Sequence, residues 1–81
     1  MAKIRLSLRF PKEISKKPII WKLGKDFNVI TNIRRANIVE DDIGWMLLEL
    51  EGKMDEIERA MDGLILQGVR VDPIEGDIVE G

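Results

Sequence analysis

The residues with the most evident chemistry lie in one short segment, 28–38, which reads NVITNIRRANI. Its β-branched residues predict a strand, but a strand that only fills a core does not need the asparagine at position 32. Arg34 and Arg35 follow it after one residue, Ile33, and a guanidinium can hold a carboxylate or another anion. The alternative is structural: the Asn32 amide would bond backbone at an irregular point of the strand, and the arginines would be solvated.

Catalytic and metal-binding chemistry is restricted by composition. The chain has 81 residues and contains neither cysteine nor histidine, which excludes disulfides, thiolate chemistry and the usual zinc sites and removes the commonest general base. The remaining residues form no nucleophile–base pair, no phosphate-binding loop and no cation-binding loop by their spacing. We therefore predict that the chain is not an enzyme and has no metal site and no cofactor.

Charge and hydropathy restrict the partners and the location. The net charge of −2 argues against nucleic acid as a partner. No apolar run approaches membrane-spanning length, and the opening MAKIRLSLRF lacks the apolar stretch of a signal peptide. We expect a cytoplasmic protein without membrane insertion.

The elements that must position these residues follow from periodicity. Strict alternation predicts a strand over 3–10, and three further strands are predicted over 27–39, 45–51 and 69–74, with a turn at 40–44. Helical spacing of apolar residues predicts helices over 18–26 and 53–67. The apolar phase of the second strand changes near Arg34 and Arg35, which predicts a bulge there.

The element order is therefore βαββαβ in one domain over 1–75, followed by a frayed acidic tail over 76–81. This order predicts an α+β, ferredoxin-like fold, in which a four-stranded antiparallel sheet carries both helices on one face. The first and third strands are central neighbours in that topology. Arg5 and Arg9 would then share the open face with Glu49 and Glu51, and opposite charges across strands support this pairing.

The sheet face away from the helices should be polar, yet Ile30, Trp45 and Leu47 point toward it by alternation, on the same side as Asn32. One interpretation is scattered surface hydrophobes. The other is that a second copy, a neighbouring domain or a ligand covers them, and we favour a second copy because most soluble oligomers are symmetric homodimers.

Three stretches carry a resemblance to a known family: PIIWKLGKDFNVITNIRRANI, GWMLLELEG and IERAMDGLILQGVRVDPI. Together they resemble the NIL domain, an ACT-like, ferredoxin-fold domain named for an Asn-Ile-Leu motif. The resemblance runs from the first strand to Ile74. Known NIL domains sit at the C-terminus of the ATPase subunit of methionine ABC importers, beside some ferredoxins, and alone.

The resemblance implies a regulatory domain that binds methionine near a domain interface. The motif matches Asn32 and Ile33, whereas Arg34 stands where the family has Leu. An amide can satisfy both charged ends of an amino acid. Arg34 either holds the carboxylate or spoils a pocket built for a thioether. The resemblance therefore implies ligand-binding roles for Asn32, Ile33 and Arg34.

Two functional hypotheses follow. The first is a stand-alone regulatory domain, expected to be a homodimer, that senses an amino acid such as methionine at a domain or dimer interface. The second is a ligand-free interaction module that docks an unidentified protein, or its own twin, through Ile30, Trp45 and Leu47. Binding of an amino acid discriminates between them, whereas dimerisation alone does not.

Overall fold

A computed structural model of the chain describes residues 1–39, 42–74 and 79–80. Within these residues, two helices and five strands form one α+β unit. Their bounds are β1 Ala2–Arg9, α1 Ile19–Asp26, β2 Val29–Val39, β3 Asp42–Gly52, α2 Met54–Leu66, β4 Arg70–Pro73 and β5 Val79–Glu80.

The strand order is β2-β3-β1-β4, with antiparallel pairing throughout. As predicted, β1 and β3 are the central neighbours, and Leu6 pairs with Leu48 at the middle of the sheet. β2 lies at one edge. The α+β, ferredoxin-like arrangement predicted from the sequence is confirmed.

Both helices pack on one face of the sheet and bury the inward-pointing residues of the alternating strands. The stripe predicted for α2 is inward, with Ile57 and Leu64 fully buried, and α1 contributes Ile19 and Leu23. On the sheet the same layer holds buried side chains from both central strands: Ala2, Ile4, Leu6, Leu8, Met46, Leu48 and Leu50. At about 25 cal/mol per Å² of apolar area removed from water, this layer is the main source of stability.

Two irregularities interrupt the pairing of β2 with β3. The first falls between Ile33 and Arg35, so Arg34 has no partner residue, and the bulge predicted at this point is confirmed. The second falls between Asn37 and Ile38 and skips Gly44 on β3, which restores the original register. Each bulge adds one residue to one strand and bends it locally.

The predicted element bounds need some correction. β3 begins at Asp42 rather than at residue 45, so the turn predicted over 40–44 is wrong for residues 42–44; residues 40 and 41 lie outside the described residues. Consecutive carboxylates indicated a turn, but pairing with β2 extends the strand. Of the tail predicted over 76–81, residues 76–78 and 81 lie outside the described residues, and the backbone of Val79–Glu80 pairs with β1.

Candidate functional site: the outer edge of β2

The motif residues Asn32, Ile33 and Arg34 lie on the edge strand of the sheet. β2 pairs with β3 on its inner side and has no partner strand on its outer side within the described residues. An unpaired edge presents backbone N–H and C=O groups that can bond another chain or a polar ligand. The segment that the sequence singled out therefore lies at one of the two edges of the described sheet.

Asn32 points to the sheet face away from the helices, opposite Glu49 of β3. Its side chain is exposed and forms no hydrogen bond with any other described residue. The structural alternative, in which the amide bonds backbone at the bulge, is therefore not the arrangement seen. A free amide offers two donors and an acceptor to a ligand.

Ile33 and Arg34 complete the site from other directions. Ile33 lies opposite Leu48, on the helix-bearing face, yet 51% of it is exposed. Arg34 occupies the bulge and is also exposed. Because neighbouring strand residues point to opposite faces, Asn32 and Ile33 share no face, and one ligand could contact both of them only at the outer edge. We refer to Asn32, Ile33 and Arg34 as the β2 edge site.

An ion pair lies next to the β2 edge site. Glu49, opposite Asn32, is buried and accepts a hydrogen bond from Arg5 Nε at 3.3 Å. The carboxylate is therefore held toward β1, on the side of Glu49 away from Asn32. Its charge is matched within the sheet, which leaves the guanidinium of Arg34 as the exposed charge of the motif.

The structure does not bring the predicted interface residues Ile30, Trp45 and Leu47 into one patch. Ile30 lies opposite Glu51, whereas Leu47 lies opposite Arg35. Ile30 and Trp45 are thus separated along the strands by about six residues, or roughly 20 Å. Trp45 is half-buried and its indole N–H donates to Ser7 Oγ at 2.7 Å, so its polar atom is satisfied within the chain.

A concavity lies elsewhere on the molecule. A groove of about 420 Å³ between α1 and α2 is lined by apolar side chains, among them Leu23 and Leu64, and by the charged residues Lys17, Lys22 and Asp26. Sequence reasoning missed this groove, because spacing within each helix does not indicate how far apart two helices pack. The sequence did offer one signal for a basic surface at this place: residues 11–26 carry five lysines and only two acidic residues.

Two negative observations concern the described residues. Among them, no three acidic side chains converge as metal ligands would. No helix in that part of the chain is long and apolar enough to cross a membrane.

Comparison with known proteins assigns the family. The NIL domain family model matches residues 4–73, which is most of the chain. The chain belongs to the NIL domain family. The β2 edge site and the bulge of this NIL domain lie inside the matched range.

Relatives and a solved structure agree with that assignment. This NIL domain is 35% identical over 63 residues to methionine import ATP-binding protein MetN 1 of Bacillus thuringiensis subsp. konkukian and to MetN 2 of Bacillus anthracis, which covers 74% of the chain. It spans only 19% of the length of those relatives. It also matches the C-terminal domain of an ABC transporter / ATP-binding protein from Enterococcus faecalis, with a TM-score of 0.78, 26% identity and coverage of 91% of this chain and 86% of that one.

Proposed function

We propose that this NIL domain is a regulatory module that binds an amino acid at the β2 edge site, with methionine as the favoured ligand. The observation that carries the proposal is the exposed amide of Asn32, which forms no hydrogen bond within the described part of the chain and lies on an edge strand next to a bulge. Relatives named for methionine import support the choice of methionine. In this proposal the domain acts in the cytoplasm on a protein partner and has no catalytic role of its own.

In this proposal each of the three residues contacts a different part of the ligand. The Asn32 amide accepts from the ammonium group or donates to the carboxylate of the ligand. The Arg34 guanidinium holds the carboxylate, and an ionic hydrogen bond of this kind is about twice as strong as a neutral one. Ile33, half exposed, offers apolar surface to the thioether side chain.

A second copy of the chain completes the site in this proposal. One edge strand covers a small ligand on one side only, whereas a binding site usually buries most of its ligand. A symmetric dimer that meets along β2 brings two edges together and pairs their free backbone groups. Ile30 and Ile33, which are 58% and 51% exposed, then lie at the interface on opposite faces of the sheet.

The test is an amide-resolved NMR titration of the isotope-labelled protein with each of the twenty amino acids. We expect saturable shifts with methionine, centred on β2 and including the side-chain amide of Asn32. The indole N–H of Trp45, already bonded to Ser7, serves as an internal reference. Absence of shifts with every amino acid contradicts the proposal.

The chain offers a matched control for the key residue. Asn37 lies on the same strand and the same face as Asn32 and is also exposed. We expect Asn32→Ala to weaken methionine binding by about 10- to 100-fold, the value of one or two hydrogen bonds to charged groups, and Asn37→Ala to leave it unchanged. Equal effects of the two substitutions would place the ligand elsewhere.

A variant of Arg34 distinguishes its two possible roles, because holding the ligand carboxylate and obstructing the pocket predict opposite changes in methionine affinity. Arg34→Leu restores the family's motif residue. If the guanidinium holds the carboxylate, this variant binds methionine more weakly, by about tenfold. Tighter binding by Arg34→Leu would show instead that the arginine obstructs a pocket for the thioether.

The ligand-free docking module is the second candidate, and the exposure of Ile30 and Ile33 favours it as an interface. It predicts dimerisation, or capture of a partner, with no response to any amino acid. Sedimentation analysis of Ile30→Glu, together with the titration above, separates the two functions. Methionine binding by the wild type that is lost in a monomeric Ile30→Glu variant supports sensing at the dimer interface. A silent titration with a dimeric wild type supports docking.

A further inference from the structure

The loop before α1 and α1 itself form a strongly basic segment in a chain of net charge −2. Residues 11–26 hold five lysines against one glutamate and one aspartate. All five lysine side chains are exposed. We call them the lysine face: Lys12, Lys16, Lys17, Lys22 and Lys25.

Several cations elsewhere in the molecule have acidic partners, unlike most of the lysine face. Arg5 pairs with Glu49 at 3.3 Å and Arg59 with Glu56 at 3.0 Å, and two further pairs are Lys3 with Glu51 and Arg70 with Asp72. Within the described residues, Lys12, Lys17 and Lys22 form no ion pair. Their charge is therefore available to an external partner.

Two large apolar side chains are exposed beside members of the lysine face. Trp21 is 65% exposed, and Lys25 Nζ lies 4.9 Å from the centre of its ring. Leu66 is 87% exposed and lines the helix groove together with Lys17, Lys22 and one acidic residue, Asp26. Each of these apolar side chains therefore lies close to exposed lysines.

We propose that the lysine face, with Trp21 and Leu66, docks this domain on the headgroup surface of an anionic lipid bilayer. Exposed lysines complement the negative surface potential of such a bilayer. Tryptophan is enriched at the boundary between headgroups and acyl chains. Lysine can bury its aliphatic stem and keep its ammonium group in water.

The residue types favour a bilayer over nucleic acid. All five cations of the face are lysines, which act as mobile point charges, whereas bidentate recognition of phosphates and bases relies on arginine. Trp21 is the only aromatic residue in segment 11–26, so the face lacks the row of stacking side chains that single strands require. The domain lies on the bilayer and does not span it.

Vesicle binding tests the proposal on the whole chain. Each lysine close to an anionic surface contributes about a fivefold change in affinity, so Lys17→Gln with Lys22→Gln should weaken binding roughly 25-fold. The measurement is co-sedimentation with phosphatidylcholine vesicles that contain phosphatidylglycerol, at low salt. Pure phosphatidylcholine vesicles should bind little protein, and high salt should release it because mobile ions screen exposed charges.

Matched variants separate this surface from a general charge effect. Lys3→Gln with Lys53→Gln removes the same charge from positions outside the lysine face and should leave binding within about twofold. Trp21→Phe should abolish the blue shift of fluorescence on vesicle binding, because Trp45 is held by Ser7 within the sheet. Asn32→Ala should bind vesicles as the wild type does, so failure of amino-acid sensing and failure of bilayer docking are distinguishable.

Three results would overturn the proposal. The first is no association with phosphatidylglycerol vesicles at low salt. The second is equal weakening by the two double variants. The third is binding of a duplex oligonucleotide as tightly as of the vesicles, which would show that the lysine face recognises polyanions in general.

Discussion

β3 and β2 are neighbouring strands with similar apolar patterns, but the apolar side chains of β3 are more deeply buried than those of β2. Leu48 of β3 and Ile33 of β2 are partner residues on the same face of the sheet. Leu48 is fully buried, whereas Ile33 is 51% exposed. The difference arises from what lies on either side, because β3 has a strand on both sides and β2 has one among the described residues.

Helix coverage adds to this difference. α1 packs over the first part of β2, where Gly24 faces Thr31 and Val29 is buried. Beyond Thr31 the strand continues without that cover, and Ile33 and Ala36 are exposed. An alternating pattern thus determines the face to which a side chain points, and the ends of the helices determine whether that face is buried.

The largest difference in stability is expected between alanine variants of the partner residues Leu48 and Ile33. Leu48→Ala should lower the free energy of unfolding by about 3 kcal/mol, because it removes buried methyl groups and leaves a cavity. Ile33→Ala should cost less than about 1 kcal/mol, since half of that side chain already contacts water. Urea denaturation of both variants measures the two values. Equal losses would show that the β2 edge is covered in solution, as dimerisation would require.

Two glycines provide a second comparison, because alanine at one should lower the stability of the fold and alanine at the other should raise it. A Cβ at Gly52 of β3 would lie 2.9 Å from the backbone oxygen of Asn28, so Gly52→Ala should destabilise the fold by about 1–3 kcal/mol. A Cβ at Gly24 of α1 would meet nothing closer than 3.8 Å among the described residues. Gly24→Ala should therefore stabilise by about 0.5–1 kcal/mol through helix propensity. Thermal unfolding followed by circular dichroism checks both signs, and stabilisation by Gly52→Ala would contradict the close approach of the two strands.

The smallest comparison is between two ion pairs. Arg5→Met leaves the buried carboxylate of Glu49 without its partner and should cost about 1–2 kcal/mol. Arg70→Met removes a pair in which both side chains are more than half exposed, and should cost at most about 0.5 kcal/mol. Chemical denaturation at low and high salt measures both. A larger loss for Arg70→Met would indicate that the edge strand β4 relies on its charges.

The central sheet could be predicted from the sequence because its signals are local and agree. Alternation in β1 identified Leu6 and Leu8 as inward residues, and the phase change near Arg34 indicated the bulge. The pairing of Arg5 with Glu49 across the open face is also present. These features depend on spacing within one element or on one strand pairing.

Features that depend on distances between elements could not be predicted in this way. The separation of Ile30 from Trp45 follows from the full register of β2 on β3, which the bulges alter. The groove beside Lys17 and Leu66 depends on how two helices pack. The motif triplet of the β2 edge site was predicted as a unit, but its position on an edge strand follows from the strand order and could not be read from the motif.

The bulge at Arg34 means that β2 could lose this one residue and keep its pairing with β3. Before the bulge the even-numbered residues Ile30 and Asn32 point away from the helices, and after it the odd-numbered residues Arg35 and Asn37 do so. Deleting Arg34 would join the two halves into one regular alternation and leave every other residue on its present face. Deleting a residue elsewhere in the strand would exchange inside for outside along its length. Arg34, the last residue of the β2 edge site, is therefore a position whose removal would leave the other residues of the strand on their present faces.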